Sequence, residues 1–253
     1  MRAVVQWTPY GMGRRATDLA ALARSTGVHV VAATGLHQAA QYASELLRRI
    51  AGRLAGLFVT ELTDGVGAAG ARAGLIKVTG AVHGVDDHAR STMTAAAEAH
   101  HRTGRRSRSI WSWGRVRSTC WSIRAGKLEV DPRRVILCHP GRSPDGFVQR
   151  EAARARAFRA FDGPSRAHHA TDRRPPDQLA ALADAGFGGQ VLVGGDTTVP
   201  GTPGMPYLLR RLRPRPEHVL GEEWLDAVLV GNPGRAFAFG PPHPSRGTRR
   251  AAV

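Results

Sequence analysis

The chain has 253 residues, 42% of them hydrophobic, enough for one large domain or two small ones with a sizeable core. No segment approaches about 18 uninterrupted apolar residues, which excludes a membrane-spanning helical protein. The two cysteines, Cys120 and Cys138, show no C-x-x-C spacing; this excludes a disulfide scaffold and suits a reducing compartment. The formal charge of +16 raises a nucleic-acid reading, but the excess is local. Residues 99–128 carry seven Arg and one Lys without an acid, and residues 241–253 carry three Arg without an acid.

Ala3 to Trp7 opens the chain as a short strand. The N-terminal stretch is too polar for a signal peptide, so a cytoplasmic location is expected. Thr17 to Arg24 reads as a helix capped by Thr17 and stopped by Gly27. Val28 to Thr34 is the next strand. A helix from about Ser44 to Leu57 sets Leu46, Leu47, Ile50, Leu54 and Leu57 on one face.

The next strand, Ala73 to Thr79, holds Lys77 in an apolar run. Burying an unpaired ammonium costs several kcal/mol, so this lysine should be neutralised, paired or chemically used. Only two of the 36 basic residues are lysine, Lys77 and Lys127. Where charge alone is needed the chain uses arginine, which stays protonated; a lysine kept inside a strand therefore points to amine chemistry.

Asp86 and Asp87 open a helix toward Gly104, placed favourably for its dipole, with His100 and His101 as solvated residues near its end. Residues 104–121 then keep neither strand alternation nor helical periodicity, and three of the five tryptophans crowd into them. Val135 to His139 is a strand, followed by a helix near Gln149 to Ala157. Phe158 to Asp162 is a strand, Pro176 to Ala185 a helix, and Gln190 to Gly195 a strand leading to Asp196. Helices near 206–211 and 217–230 precede a Pro- and Arg-rich tail, 240–253, expected to be disordered. Alternating strands and helices argue for βα units and a parallel sheet, with residues 1–239 as one domain.

Lys77, His139 and Asp196 share a grammar: each sits in or after a short apolar run rich in β-branched residues. Polar groups at the C-terminal ends of such strands lie where α/β barrels place chemistry. Singly, each has a plainer reading. A lone histidine is commonly structural, and an aspartate before two threonines commonly caps a helix.

Gly74-Leu75-Ile76-Lys77-Val78, Val28 to Gly35, Arg134 to His139 and Gly231-Asn232-Pro233-Gly234-Arg235-Ala236-Phe237 together resemble the phosphotriesterase-related family of metal-dependent amidohydrolases, over most of residues 3–239. The resemblance implies an eight-stranded TIM barrel with a two-metal site at the strand ends, hydrolysing lactones, organophosphate triesters or related esters. It casts Lys77 as a lysine carboxylated by CO₂ whose carbamate bridges both metals. It casts His139 as a ligand of one metal, and Asp196 as a ligand of the other that handles the proton of the attacking hydroxide. Mixed nitrogen and oxygen ligands favour zinc, Zn²⁺. His37, where the family often has an aromatic residue, and Arg166, His168 and His169 are candidates for substrate contact. A small ester or lactone is the expected partner, and a homodimer is compatible with this reading.

The family's first strand, with its His-x-His pair, has no counterpart here, and its fifth strand with a further ligand histidine falls in the irregular stretch. The barrel is therefore expected to be incomplete, with the first strand missing and the fifth disrupted, and catalysis weak or absent. Shifted by two nucleotides, codons compatible with Arg106 to Trp121 can read Leu-Pro-Val-His-Leu-Glu-Leu-Gly, with the histidine codon straddling Ser109 and Ile110; a basic surface insertion is the alternative. A second functional reading is a non-catalytic protein that binds nucleic acid through residues 104–125 by phosphate contacts and stacking.

Overall fold

The computed structural model describes residues 1–79, 85–103, 108–112, 127–142, 145–162, 175–197 and 204–237. Its centre is a parallel sheet of seven strands in strictly sequential order. These are β1 (Ala3–Gln6), β2 (His29–Leu36), β3 (Leu75–Thr79), β4 (Arg108–Ser112), β5 (Val135–Cys138), β6 (Phe158–Asp162) and β7 (Val191–Gly194). Every adjacent pair is parallel. Sequential parallel order is that of a barrel wall; among the described residues no pairing joins β7 back to β1.

β3, β5 and β7 read as largely apolar runs because both faces of the sheet are covered there. One face gathers Ala33, Leu75, Ile136, Cys138, Phe158, Ala160 and Leu192 with Ala236. The other packs Leu36, Ile76, Val78, Val135 and Leu137 against Phe58, Leu62, Met93 and Ala96 from helices α3 (Leu54–Thr63) and α4 (Asp87–Thr103). Lys77 lies two residues from Leu75 and so shares the inner face.

Helix α1 (Ala16–Thr26) starts earlier than expected: Arg15, in the left-handed region at φ 45°, caps it instead of Thr17. Gly27 ends it as expected, at φ 68° with its N–H donating to Ala23 O. The single helix expected over Ser44 to Leu57 is two, α2 (Ser44–Ile50) and α3. The break falls at Gly52, whose φ of 72° no right-handed helix accommodates.

Helices α5 (Gly146–Arg154) and α6 (Pro175–Asp184) flank β6 in sequence. Near the C-terminus α7 (Gly204–Tyr207) runs into a wide π turn, Leu208–Leu212. Helix α8 (Pro214–Leu220) then restarts at Pro214, which lacks the N–H that a first helical position leaves unused. Gly221, at φ 83°, separates it from α9 (Glu222–Asp226), and a second π turn leads to α10 (Asn232–Phe237). Buried Asn232 donates through Nδ2 to Gly188 O and Val191 O, both at 2.7 Å. The Asn-Pro-x-Arg stretch thereby ties the last helix to the entry of β7.

Residues 108–112 correct the expectation that residues 104–121 hold no strand. Arg-Ser-Ile-Trp-Ser has little β pattern of its own. It is nonetheless laddered on both sides, to β3 and β5, so tertiary pairing overrides local preference. A central strand is also no free basic loop, which removes this part of the segment from the nucleic-acid reading. The tail 240–253 lies outside the described residues. No helix among the described residues is long and apolar enough to cross a membrane.

Candidate functional site

All seven strands run the same way, so their C-terminal ends form one rim. Lys77 sits in the middle of β3 rather than at its end, 9% exposed. Its Nζ lies 5.3 Å from the centroid of the Trp7 ring, just past β1. Gly35 on β2 holds β3 close: at φ 110°, a Cβ there would lie 1.9 Å from Lys77 O. Only glycine permits this approach.

His139 follows β5 directly and Asp196 stands two residues beyond β7. Both adopt left-handed backbone, φ 58° and 44°. For residues with a Cβ such conformations cost on the order of 1–3 kcal/mol and cluster where geometry serves a site. The two side chains approach each other, with His139 Nδ1 3.8 Å from Asp196 Oδ2.

Asp162, the last residue of β6, is the group sequence reasoning missed. Its carboxylate accepts the His139 backbone N–H at 2.9 Å and lies 2.5 Å from His139 Nδ1. A signal existed, for Phe158 to Asp162 also ends in a metal-competent side chain, but Arg159 interrupts the apolar run. Burial and then the Asp162 charge push the Cys138 thiol well up, so it stays protonated.

His37, just past β2, is held by its backbone: its N–H donates to Tyr42 Oη at 2.8 Å, and its carbonyl lies 2.8 Å from His88 Nε2. Burial first, then the charges of Lys77 and His139, lower its pKa to about 4. It is thus a neutral imidazole facing the same rim as Lys77 and His139. The preceding loop is clamped by Arg14, which donates to Ala33 O at 2.7 Å and pairs with buried Glu61 at 2.6 Å. Arg166, His168 and His169 lie outside the described residues.

Three buried polar atoms on this rim, His37 Nδ1, Thr79 Oγ1 and Asp162 Oδ2, have no hydrogen-bond partner among the described residues. Buried polar groups are otherwise almost always satisfied, so these atoms have capacity left for a bound group or water. Among the described residues no three His, Cys, Asp or Glu side chains form a ready-made metal cage. The donors on offer are His139, Asp196 and Lys77. As imidazole, carboxylate and potential carbamate they fit one ion that prefers mixed nitrogen and oxygen ligands.

The Phosphotriesterase family model matches residues 1–237. The Escherichia coli (strain K12) phosphotriesterase homology protein is 27% identical across 94% of this chain and 84% of its own length. Its crystal structure, with phosphate in the active site, superposes with a TM-score of 0.85 at 26% identity, over 94% of this chain and 84% of that one. A Listeria monocytogenes lactonase gives a TM-score of 0.85 at 22% identity, over 95% of this chain and 82% of that one. A mutant of a Deinococcus radiodurans phosphotriesterase-like lactonase gives 0.81 at 22%, over 94% and 81%. A family model that spans nearly the whole described fold makes the conclusion direct: this chain belongs to the phosphotriesterase family.

Proposed function

We propose that the chain is a zinc-dependent hydrolase of lactones, phosphotriesters or related esters, working weakly. The observation that carries this reading is the set of buried polar atoms on His37, Thr79 and Asp162 without partners among the described residues, beside the close approach of His139 to Asp196. His139, Asp196 and Lys77 as its carbamate would hold the metal. Zinc bound there supplies Lewis acidity, which makes water nucleophilic near neutral pH and polarises a carbonyl or phosphoryl group.

The remaining work falls to the protein. Asp162 fixes the His139 ring by accepting its backbone N–H and contacting Nδ1, so that Nε2 is the nitrogen this reading gives to the metal. A carboxylate behind a ligating imidazole raises its basicity and locks its orientation. Asp196 is placed to take a proton from the attacking water and return it to the leaving group. His37, uncharged and with Nδ1 unsatisfied, can accept a hydrogen bond from a substrate or product hydroxyl. Trp7 supplies an apolar wall for the acyl chain or leaving group.

Hydrolysis of an aliphatic lactone and an aryl phosphotriester, measured with and without added zinc, tests the reading. Zinc-stimulated turnover of either ester should fall at least a hundredfold in His139→Ala and Asp196→Asn. Zinc-independent turnover, or turnover indifferent to both changes, contradicts it.

A further inference from the structure

The backbone of His37 is gripped by side chains on both of its flanks. Its N–H donates to Tyr42 Oη at 2.8 Å, and its carbonyl lies 2.8 Å from Nε2 of His88, in the first turn of α4. A carbonyl can only accept, so this histidine nitrogen carries the hydrogen. Tyr42 reaches His37 because a short 3₁₀ turn, Ala39–Gln41, folds the chain back, with the Tyr42 N–H donating to Ala39 O at 3.0 Å.

The Tyr42 hydroxyl is used in both senses. It accepts from His37 and donates to Tyr10 O at 3.0 Å, while the Tyr10 N–H donates to Gly35 O at 3.0 Å. The connections that follow β1 and β2 are thus tied together at one phenol. Its ring has little freedom, since a Cβ on Gly11 would stand 3.1 Å from Tyr42 Cε1 and glycine there leaves the slot that the ring fills. Tyr10 is held in turn: the Arg14 guanidinium carbon lies 5.9 Å from its ring centroid, and Arg14 pairs with buried Glu61.

The rotamer open to a side chain depends on its φ and ψ. Pinning the N–H and the carbonyl of one residue restrains both angles and so orients its ring. We propose that Tyr42 and His88 are positioning residues that hold the His37 imidazole toward the substrate, each acting through the His37 backbone. The inference rests on the reading of His37 as a substrate contact given above. A tyrosine that merely closed the turn would support the fold and do no more.

A double-mutant cycle separates the two roles. The test uses the full chain with zinc and bicarbonate, and whichever of δ-valerolactone and diethyl nitrophenyl phosphate it hydrolyses faster. Tyr42→Phe keeps the ring in its slot and removes the hydroxyl alone. It should lower kcat/KM about three- to tenfold where His37 is present, as the loss of one ordinary hydrogen bond does, and less than about twofold in His37→Phe. His88→Leu should behave likewise, and His88→Gln, which keeps a side-chain N–H, should recover most of the loss. In NMR of the zinc-free chain the His37 ring signals should be single and sharp, and broadened or doubled in Tyr42→Phe. Unfolding midpoints check that each variant is folded; if Tyr42→Phe is not, the two His88 variants decide. Equal losses with and without His37, no loss at all, or ring signals that do not change overturn the positioning role while leaving the hydrolase reading intact. Absence of zinc-stimulated hydrolysis of either ester by the unaltered chain overturns both.

Discussion

Arg159 is the residue least at ease in this molecule. It alternates with the inward residues of β6 and is 1% exposed, and none of its three guanidinium nitrogens has a hydrogen-bond partner among the described residues. Burial lowers its pKa to about 10, which still leaves it charged at neutral pH. Unpaired buried charge is expensive. Arg159→Leu is therefore expected to stabilise the protein by about 2 kcal/mol or more, raising Tm by several degrees in a melting scan. A lower Tm would mean that the guanidinium is satisfied after all. His37 gives a second prediction at this scale. Folding lowers its pKa from 6.5 to about 4, so between those values the unfolded chain binds more protons. The stability tied to neutral His37 is complete above 6.5 and is lost as pH falls through 6.5 toward 4. In zinc-free protein, the drop in denaturant midpoint from about pH 7.5 to about pH 5 should be smaller in His37→Phe. An unchanged drop would refute the burial assigned to His37.

Among the elements, β4 decides most. It pairs with β3 along its whole length and with β5 from Ser109 to Ser112, so Ile110→Pro should remove ladder bonds from the middle of the sheet and leave no folded protein by circular dichroism. A stable Ile110→Pro variant would return residues 104–121 to the status of a surface insertion. For the same reason, deleting residues 104–125 would remove a strand, and loss of nucleic-acid binding on that deletion could not be read as loss of a binding loop. The register also sets Ile110 level with Lys77, where the histidine codon of the alternative frame falls. Ile110→His should accordingly tighten zinc binding at least tenfold, with Ile110→Leu as the control; equal affinities would detach β4 from the site.

The same elements mark what the sequence made legible. β3, β5, β6 and β7 announced themselves because a strand covered on both faces reads as an apolar run, and the Lys77 and His139 strands were visible for that reason. β4 was invisible since its pairing comes from its neighbours and not from its own residues. The helix break at Gly52 hid inside a good apolar period, because a pattern of side chains does not register a backbone turn. Asp162 was hidden behind Arg159. The left-handed backbone at His139 and Asp196 had no sequence signal, since neither position is glycine.

For the whole molecule the proposed function requires that the phosphotriesterase-family sheet gather Lys77, His139 and Asp196 into a weak zinc site that hydrolyses esters. The sequential seven-stranded sheet and the likeness to two lactonase structures concern the scaffold; the proposed chemistry depends on the metal. The direct measurement is zinc titration of the metal-free chain with bicarbonate present, set beside Lys77→Met, His139→Ala and Asp196→Asn. The account predicts that zinc binds weakly, with fewer than two ions per chain, and that each substitution weakens it at least tenfold further. Two tightly held zinc ions, with affinity indifferent to all three substitutions, would contradict it.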